Sequence, residues 1–498
     1  MVNDRRHRAL PSHRTVKRTS IAEGTEEELV AELLRCGCLS YADDDVPDKW
    51  RRPARILERH PGLARTDIYT ACLTGEVELA RSLLAAEPAL ASAPGGPQSW
   101  PPLLFVCYGR IPHPPAADQA VATATALLDC GASPDTYVLL NGRYRFSAVT
   151  GAIGRGEMRQ PAHPRARELV LLLLARGANP NYSQALYNDM LEGDDDGWLR
   201  LLLAHGLTAS DRINWESGTP LRLLDYLLGH AASKNHRRRA ACLLEHGADP
   251  NVPDFYNRKS PYENALLAGN LEMADTLVRH GAAVTHLEGR DAFIAACARL
   301  DQEQARLLLA GHPEYLADVD PLIEAGERGR VDLVRLLVGL GMEADGVGSH
   351  GKRPLHVAAG SGSRETVELL LDHGADPMAT VYGGTAAGWA RHGGHLELAR
   401  SIAERTRSPH DAALTGHVEL LAELLASDAS LAHRLDDHRN TPLHRLPDDL
   451  DRGRAMVEVL LRHGADPTAR NQDGETAAEL AEARGLDELA DMLRTATP

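Results

Sequence analysis

The chain has 498 residues, of which 43% are hydrophobic and 25% charged, yet only 21 (5 Trp, 12 Tyr and 4 Phe) are aromatic. Burial therefore rests on Leu, Ala and Val, which suits packed helices and excludes collagen-like and disordered chains. A net charge of -16, from 70 acidic against 54 basic residues, excludes nucleic acid as a partner of the whole chain.

The first predicted element is a basic flexible arm over residues 1–22. Arg5, Arg6, Arg8, Arg14, Lys17 and Arg18 face one acid, Asp4, so nucleic acid is unlikely as a partner except through this arm. It has no apolar core region and does not read as a secretory signal. Residues 23–63 come next, expected to form a helical N-terminal cap or a degenerate repeat. The seven cysteines (Cys36, Cys38, Cys72, Cys107, Cys130, Cys242 and Cys297) are odd in number and scattered, which fits a reducing, cytoplasmic location. The longest strongly apolar run, Leu169 to Ala175, is too short to span a bilayer, so no membrane is expected. Nearly all basic residues are Arg and Ala is abundant, as in high-GC bacterial coding.

From residue 64 onward the chain repeats itself. Leu369-Leu-Leu-Asp-His-Gly-Ala-Asp-Pro377 has counterparts at Leu127 to Asp135, Leu172 to Asn181, Leu243 to Asn251 and Leu460 to Pro467. Gly247, Gly281, Gly311, Gly341 and Gly374 are 34, 30, 30 and 33 residues apart, a period close to 33. Each unit opens on a Thr-Pro-Leu-type start such as Thr441-Pro442-Leu443-His444, which places Pro at the first helical position. A short Ala-rich helix ends at Gly-x-hydrophobic-Glu, as in Gly75 to Glu78 and Gly394 to Glu397. A second helix then runs into Leu-Leu and a His-Gly or Arg-Gly cap. At Ala86 to Ala91, His312 to Ala317 and Ser427 to Ala432 another exit replaces Gly-Ala-Asp-Pro.

Together these motifs resemble the ankyrin-repeat family over roughly residues 64–498. The resemblance implies an all-α solenoid of about twelve to thirteen helix-turn-helix units with short β-hairpin loops. It also implies that first helices and hairpin tips line a concave binding face. Most histidines then have structural positions: His356 and His444 bridge hairpins, while His205, His246, His280, His373 and His463 precede capping glycines.

Insertions break the pattern at 95–118, 135–146 and 154–164, and Pro180 to Asn188 replaces the usual unit start. Eleven aromatic residues fall between 100 and 226, either as a binding surface or as filling for the insertions. Tyr137, Arg143, Tyr144, Arg145, Gln184, Tyr187 and Asn188 are the expected partner contacts. His113, Arg159, Gln160 and His163, in loops at matching positions of adjacent units, are the residues of a possible pocket. Lys234 to Arg239 is a basic cluster expected on an exposed loop or helix start, and Asp194-Asp-Asp196 an acidic turn without the ligand pattern of a calcium loop. No zinc-protease, phosphate-loop or serine-hydrolase motif occurs, so no catalytic residue, cofactor or metal is expected. The sequence thus points to a non-catalytic scaffold holding a protein or peptide partner. The alternative is a small-molecule-binding protein or enzyme built on the loops of residues 100–190.

Overall fold

A computed structural model of the chain describes residues 24–41, 45, 47–157, 159–216 and 220–496. The expected basic arm of residues 1–22 lies outside the described residues. The chain divides into two compact units, residues 1–285 and 286–498.

The first unit opens with two helices, Glu26–Gly37 and Pro47–Arg59, followed by helix pairs. The first pair shows how each is made. Asp67 accepts the Thr70 N–H and starts Ile68–Thr74, and Gly75, at φ +84°, ends it by donating to the Ala71 carbonyl. Gly75 is required twice over: a side chain would be strained at that φ, and its Cβ would lie 2.1 Å from the Pro115 carbonyl oxygen. Val77–Ala86 then returns antiparallel to the first helix. Five more pairs follow among the described residues, the last being Pro261–Leu267 with Leu271–Arg279. Leu103, Leu104, Val149, Leu169, Leu173 and Leu202 are fully buried between them. Each such side chain contributes about 1.5–3 kcal/mol, and each needs a neighbouring pair to supply its other wall.

The N-terminal segment is woven into this stack. Leu39 N–H donates to the Tyr108 carbonyl (2.9 Å), Arg110 N–H donates to the Gly37 carbonyl (2.8 Å), and Gln98 Nε2 donates to the Leu34 carbonyl (2.8 Å). The Tyr41 hydroxyl reaches the carbonyls of Thr150 (3.0 Å) and Gly154 (3.2 Å), and its ring meets Phe146 edge-on at 4.7 Å. Residues 34–41 thus run beside the first helices Pro102–Tyr108 and Ala148–Ile153. The two N-terminal helices are locked by a buried ion pair between Glu32 and Arg52.

The second unit repeats the plan from Gly289–Ala298 to Asp487–Thr495, with a 3-10 turn, Pro442–Arg445, replacing one first helix. The repeat histidines act as the resemblance implies. His356 Nε2 donates to the Ala379 carbonyl (2.9 Å) and His444 Nε2 to the Glu475 carbonyl (3.2 Å), each reaching the next hairpin. In both units, His205, His246, His280, His373 and His463 donate Nδ1–H to the carbonyl four residues earlier, at 2.7–2.9 Å. The ring thus adds a donor at the helix end; the carbonyls of Cys242, Thr276 and Leu369 accept the backbone N–H of the same histidine as well.

Candidate partner-binding surface

The insertion at 135–146 forms a two-stranded hairpin, β1 (Tyr137–Leu140) and β2 (Tyr144–Ser147). Its strands pair antiparallel with Tyr137 opposite Ser147 and Leu140 opposite Tyr144. Asn141 and Gly142 both take positive φ, 53° and 64°, as a tight turn between twisted strands demands. Tyr137 and Leu139 remain 41% and 44% exposed.

Neighbouring segments hold the hairpin upright. At its base Asp135 accepts from the Asn179 N–H and the Tyr182 hydroxyl, both at 2.9 Å. At its tip Arg145 pairs with Glu216 (2.7 Å) and lies 4.9 Å from the Tyr137 ring centre, while the Glu216 N–H donates to the Arg143 carbonyl (2.9 Å). Arg143 is exposed and stacks on Tyr144 at 5.2 Å. The loop bearing Glu216 is itself fixed from below: Asn214 N–H donates to Ser183 Oγ (3.1 Å), and Asn181 Nδ2 donates to the Arg212 carbonyl (2.8 Å). The unusual Pro180–Asn188 start therefore anchors both the hairpin and the next loop.

Between them the rings form a row. Trp215 meets Tyr144, Tyr187 and Tyr226 edge-on at 5.4, 5.8 and 5.8 Å. Tyr226 continues to Tyr256 through hydroxyls 3.0 Å apart, and Phe255 and Tyr256 are 42% and 45% exposed. The buried end of this row fills space and the exposed end presents aromatic surface.

Not every expected contact lies on the surface. Gln184 and Asn188 are buried and joined by a 2.9 Å bond from Nε2 to Oδ1, and Gly156 lies against the Asn188 amide. Tyr187 donates its hydroxyl to Glu157 of the same loop as Gly156 (2.8 Å).

The inserted loops Gly109 to Asp118 and Gly154 to Pro164 are joined by a residue that sequence reasoning missed, Arg110. Arg110 donates to the carbonyls of Pro161 (2.9 Å), Gly151 (2.6 Å) and Gly109 (2.8 Å). Burial draws its guanidinium down to about 10. His163 is also buried; its Nδ1 accepts the Arg165 N–H (3.0 Å), and burial, aided by Arg110, lowers its pKa to about 3. It is a neutral imidazole at pH 7. Gln160 is buried, its backbone bridged to Arg155, while Arg159 is exposed and His113 half-buried ahead of the short helix Pro114–Asp118. Among the described residues, no hydrogen bond or ion pair joins His113 to His163. A cleft of about 600 Å³ does occur in the second unit, but Arg364, Arg400 and Arg452 line it with three glutamates.

The basic cluster of residues 234–239 lies at a helix start, as expected, with Lys234, Arg237 and Arg238 exposed; Arg239 alone of its basic residues is buried. Asp194 accepts the N–H groups of Arg238 (3.1 Å) and Arg239 (3.0 Å), capping helix Arg237–Glu245. Arg239 is 1% exposed and bonds Asp189 (2.7 Å), which also pairs with Arg155. Burial raises the Asp189 carboxyl and the two guanidiniums pull it back. The acidic turn thus partners Arg238 and Arg239, while Arg237 pairs with Glu272. No group of three His, Cys, Asp or Glu side chains that could hold a metal ion occurs among the described residues. No described helix is long and apolar enough to cross a membrane.

Residues 292–381 match the family described as ankyrin repeats in three copies. Human cyclin-dependent kinase inhibitor 2A is 32% identical over 174 residues, which cover 34% of this chain and 92% of that protein. The chain belongs to the ankyrin-repeat family. Other ankyrin-repeat similarities are consistent with this. Cyclin-dependent kinase 4 inhibitor B of Bos taurus is 33% identical over 143 residues, covering 28% of this chain and 88% of the inhibitor. The rice protein named Probable E3 ubiquitin-protein ligase XBOS32 is 32% identical over 167 residues, 32% of this chain, and the match spans only 33% of the ligase.

Proposed function

We propose that this ankyrin-repeat protein is a non-catalytic scaffold that holds a protein or peptide partner on the surface around the β1–β2 hairpin. The observation that carries the reading is the exposure of Tyr137, Leu139 and Arg143 on a hairpin braced at base and tip by other units. Aromatic and Arg side chains are the types that dominate interaction hot spots, and a braced hairpin has little order left to gain on binding. The kinase-inhibitor names of the relatives support an interaction role. Arg145 and Tyr144 belong to the same surface, with Tyr187 at its inner border; Gln184 and Asn188 support it from beneath. The pocket reading has less support, since Arg110 donates to backbone carbonyls on both sides of the loop pair and His163 Nδ1 accepts the Arg165 N–H of its own loop.

Affinity capture with the intact chain, beside a variant lacking Asn141 to Arg145, tests this. Capture of the partner is expected to drop at least tenfold in the variant, which corresponds to about 1.4 kcal/mol. Equal capture by both proteins sinks the reading.

A further inference from the structure

We infer that the open edge of β1 accepts an extended peptide as a third strand, and that the peptide carries a carboxylate which meets Arg143. This deepens the proposed function and rests on the hairpin being the partner surface.

Backbone parity carries the first half. The Ala148 N–H donates to the Thr136 carbonyl (3.0 Å), so residues 136 and 148 form a hydrogen-bonded pair. With a period of two, Val138 faces Phe146 and Leu140 faces Tyr144 in the same way. Tyr137 and Leu139 therefore turn their N–H and C=O groups away from β2. No other segment bonds to those groups among the described residues. The same two residues have the exposed side chains. The other edge is bonded at both ends, where the Arg143 carbonyl accepts the Glu216 N–H and the Ser147 carbonyl accepts the Tyr108 hydroxyl. Natural proteins usually blunt an open edge with Lys, Pro or a cover, and Tyr137-Val-Leu-Leu140 has neither Lys nor Pro. An added strand would receive two donors and two acceptors, with apolar side chains beside Tyr137 and Leu139.

Charge selects the occupant. Arg145 is committed to Glu216, whereas Arg143 stacks on Tyr144 and has no carboxylate partner among the described residues. A second copy of the chain fits less well. In an antiparallel self-pair centred on Val138, Arg143 would face the 133–135 turn of the other copy. Its acid, Asp135, already accepts from Asn179 and Tyr182. A foreign segment with a free Glu or Asp satisfies Arg143.

The test uses fluorescein-labelled seven-residue peptides of alternating Val and Thr, with Glu or Lys at either end, titrated against the full chain. Two further versions of the Glu peptides carry N-methyl groups on one or the other alternate set of residues. One methylated set is expected to bind more than tenfold more weakly and the other within about twofold, since only one set of N–H groups faces β1. Arg143→Glu is expected to weaken the Glu peptide about five- to tenfold and to favour the Lys peptide. Hydrogen exchange at Tyr137 and Leu139 should slow when the peptide is added. Equal binding of both methylated sets, or no saturation at millimolar peptide, overturns strand addition. So does a dimer in light scattering that persists in Arg143→Glu. In each case the hairpin remains the partner surface if removing Asn141 to Arg145 still stops capture, so the two failures are distinguishable.

Discussion

His163 shows how one side chain can be read wrongly from its surroundings in sequence. Proline-flanked in a long loop, it has the setting of a reactive imidazole, yet the fold buries it behind Arg110 and beside Arg165. The consequence is a pH dependence of stability. An unfolded histidine titrates near 6.5, whereas the folded one titrates at about 3, so between these values the unfolded chain takes up a proton that the native state refuses. Stability is therefore full above 6.5 and falls as the pH drops below it, by about 1.4 kcal/mol per unit, or about 2 kcal/mol at pH 5. Buried His356 and His444 and half-buried His410 shift in the same direction. Asp189 and Asp411, whose carboxyls burial raises, act oppositely, and only nearer the carboxylate range. Urea unfolding of the parent and of His163→Gln at pH 7.5 and pH 5 checks this. The variant should lose about 2 kcal/mol less than the parent over that interval, and parallel losses would show that His163 does not titrate as described.

At the scale of elements, the least ankyrin-like feature is the N-terminal segment lying against the first helices of two inner pairs. Tyr41 is its anchor, with ring contacts to Phe146 and Tyr108 and two hydroxyl bonds to backbone carbonyls. Tyr41 is partly buried, so Tyr41→Ala should cost less than the roughly 3–5 kcal/mol of a fully buried aromatic ring, on the order of 2–3 kcal/mol. Amide exchange should accelerate first over residues 26–41, and then over Pro102–Tyr108. Uniform acceleration across the first unit would mean that the segment is not a separately docked element. The contrast with the repeats explains what could be read in advance. Thr-Pro-Leu-His, Gly-x-hydrophobic-Glu and Leu-Leu-x-His-Gly close their caps and turns within a few residues, so local chemistry names the helices, and Asn141-Gly142 names its turn. Tyr41 instead finds Thr150, Arg110 finds Pro161, and Asp194 finds Arg239. Those partners lie 109, 51 and 45 positions away and share no local pattern with them. The same distance hid the burial of Gln184 and Asn188: their place on a first helix was legible, but the approach of Gly156 to Asn188 was not.

At the scale of the whole chain, a scarcity of rings follows from burial that is local. One buried cluster runs from Leu29 to Ala282, while separate clusters run from Phe293 to Ile402 and from Ala403 to Leu493. Each helix pair is stabilised by its neighbours, so cooperativity has to pass from pair to pair instead of through a shared core. A chain of this length built in this way should not unfold in one step. Its tryptophans allow a direct check, because Trp50, Trp100, Trp198 and Trp215 lie in the first unit and Trp389 alone in the second. Trp fluorescence reports mainly on the first unit, while far-UV circular dichroism reports on helices of both. In a guanidinium titration the two curves are expected to separate, and Trp389→Phe should leave the fluorescence transition nearly unchanged in midpoint. Loss of the Tyr41 anchor should then move the fluorescence curve to lower denaturant while leaving the later part of the dichroism curve in place. Superimposable curves in the parent, shifting together in Tyr41→Ala, would instead require the cores on either side of residue 285 to unfold as one.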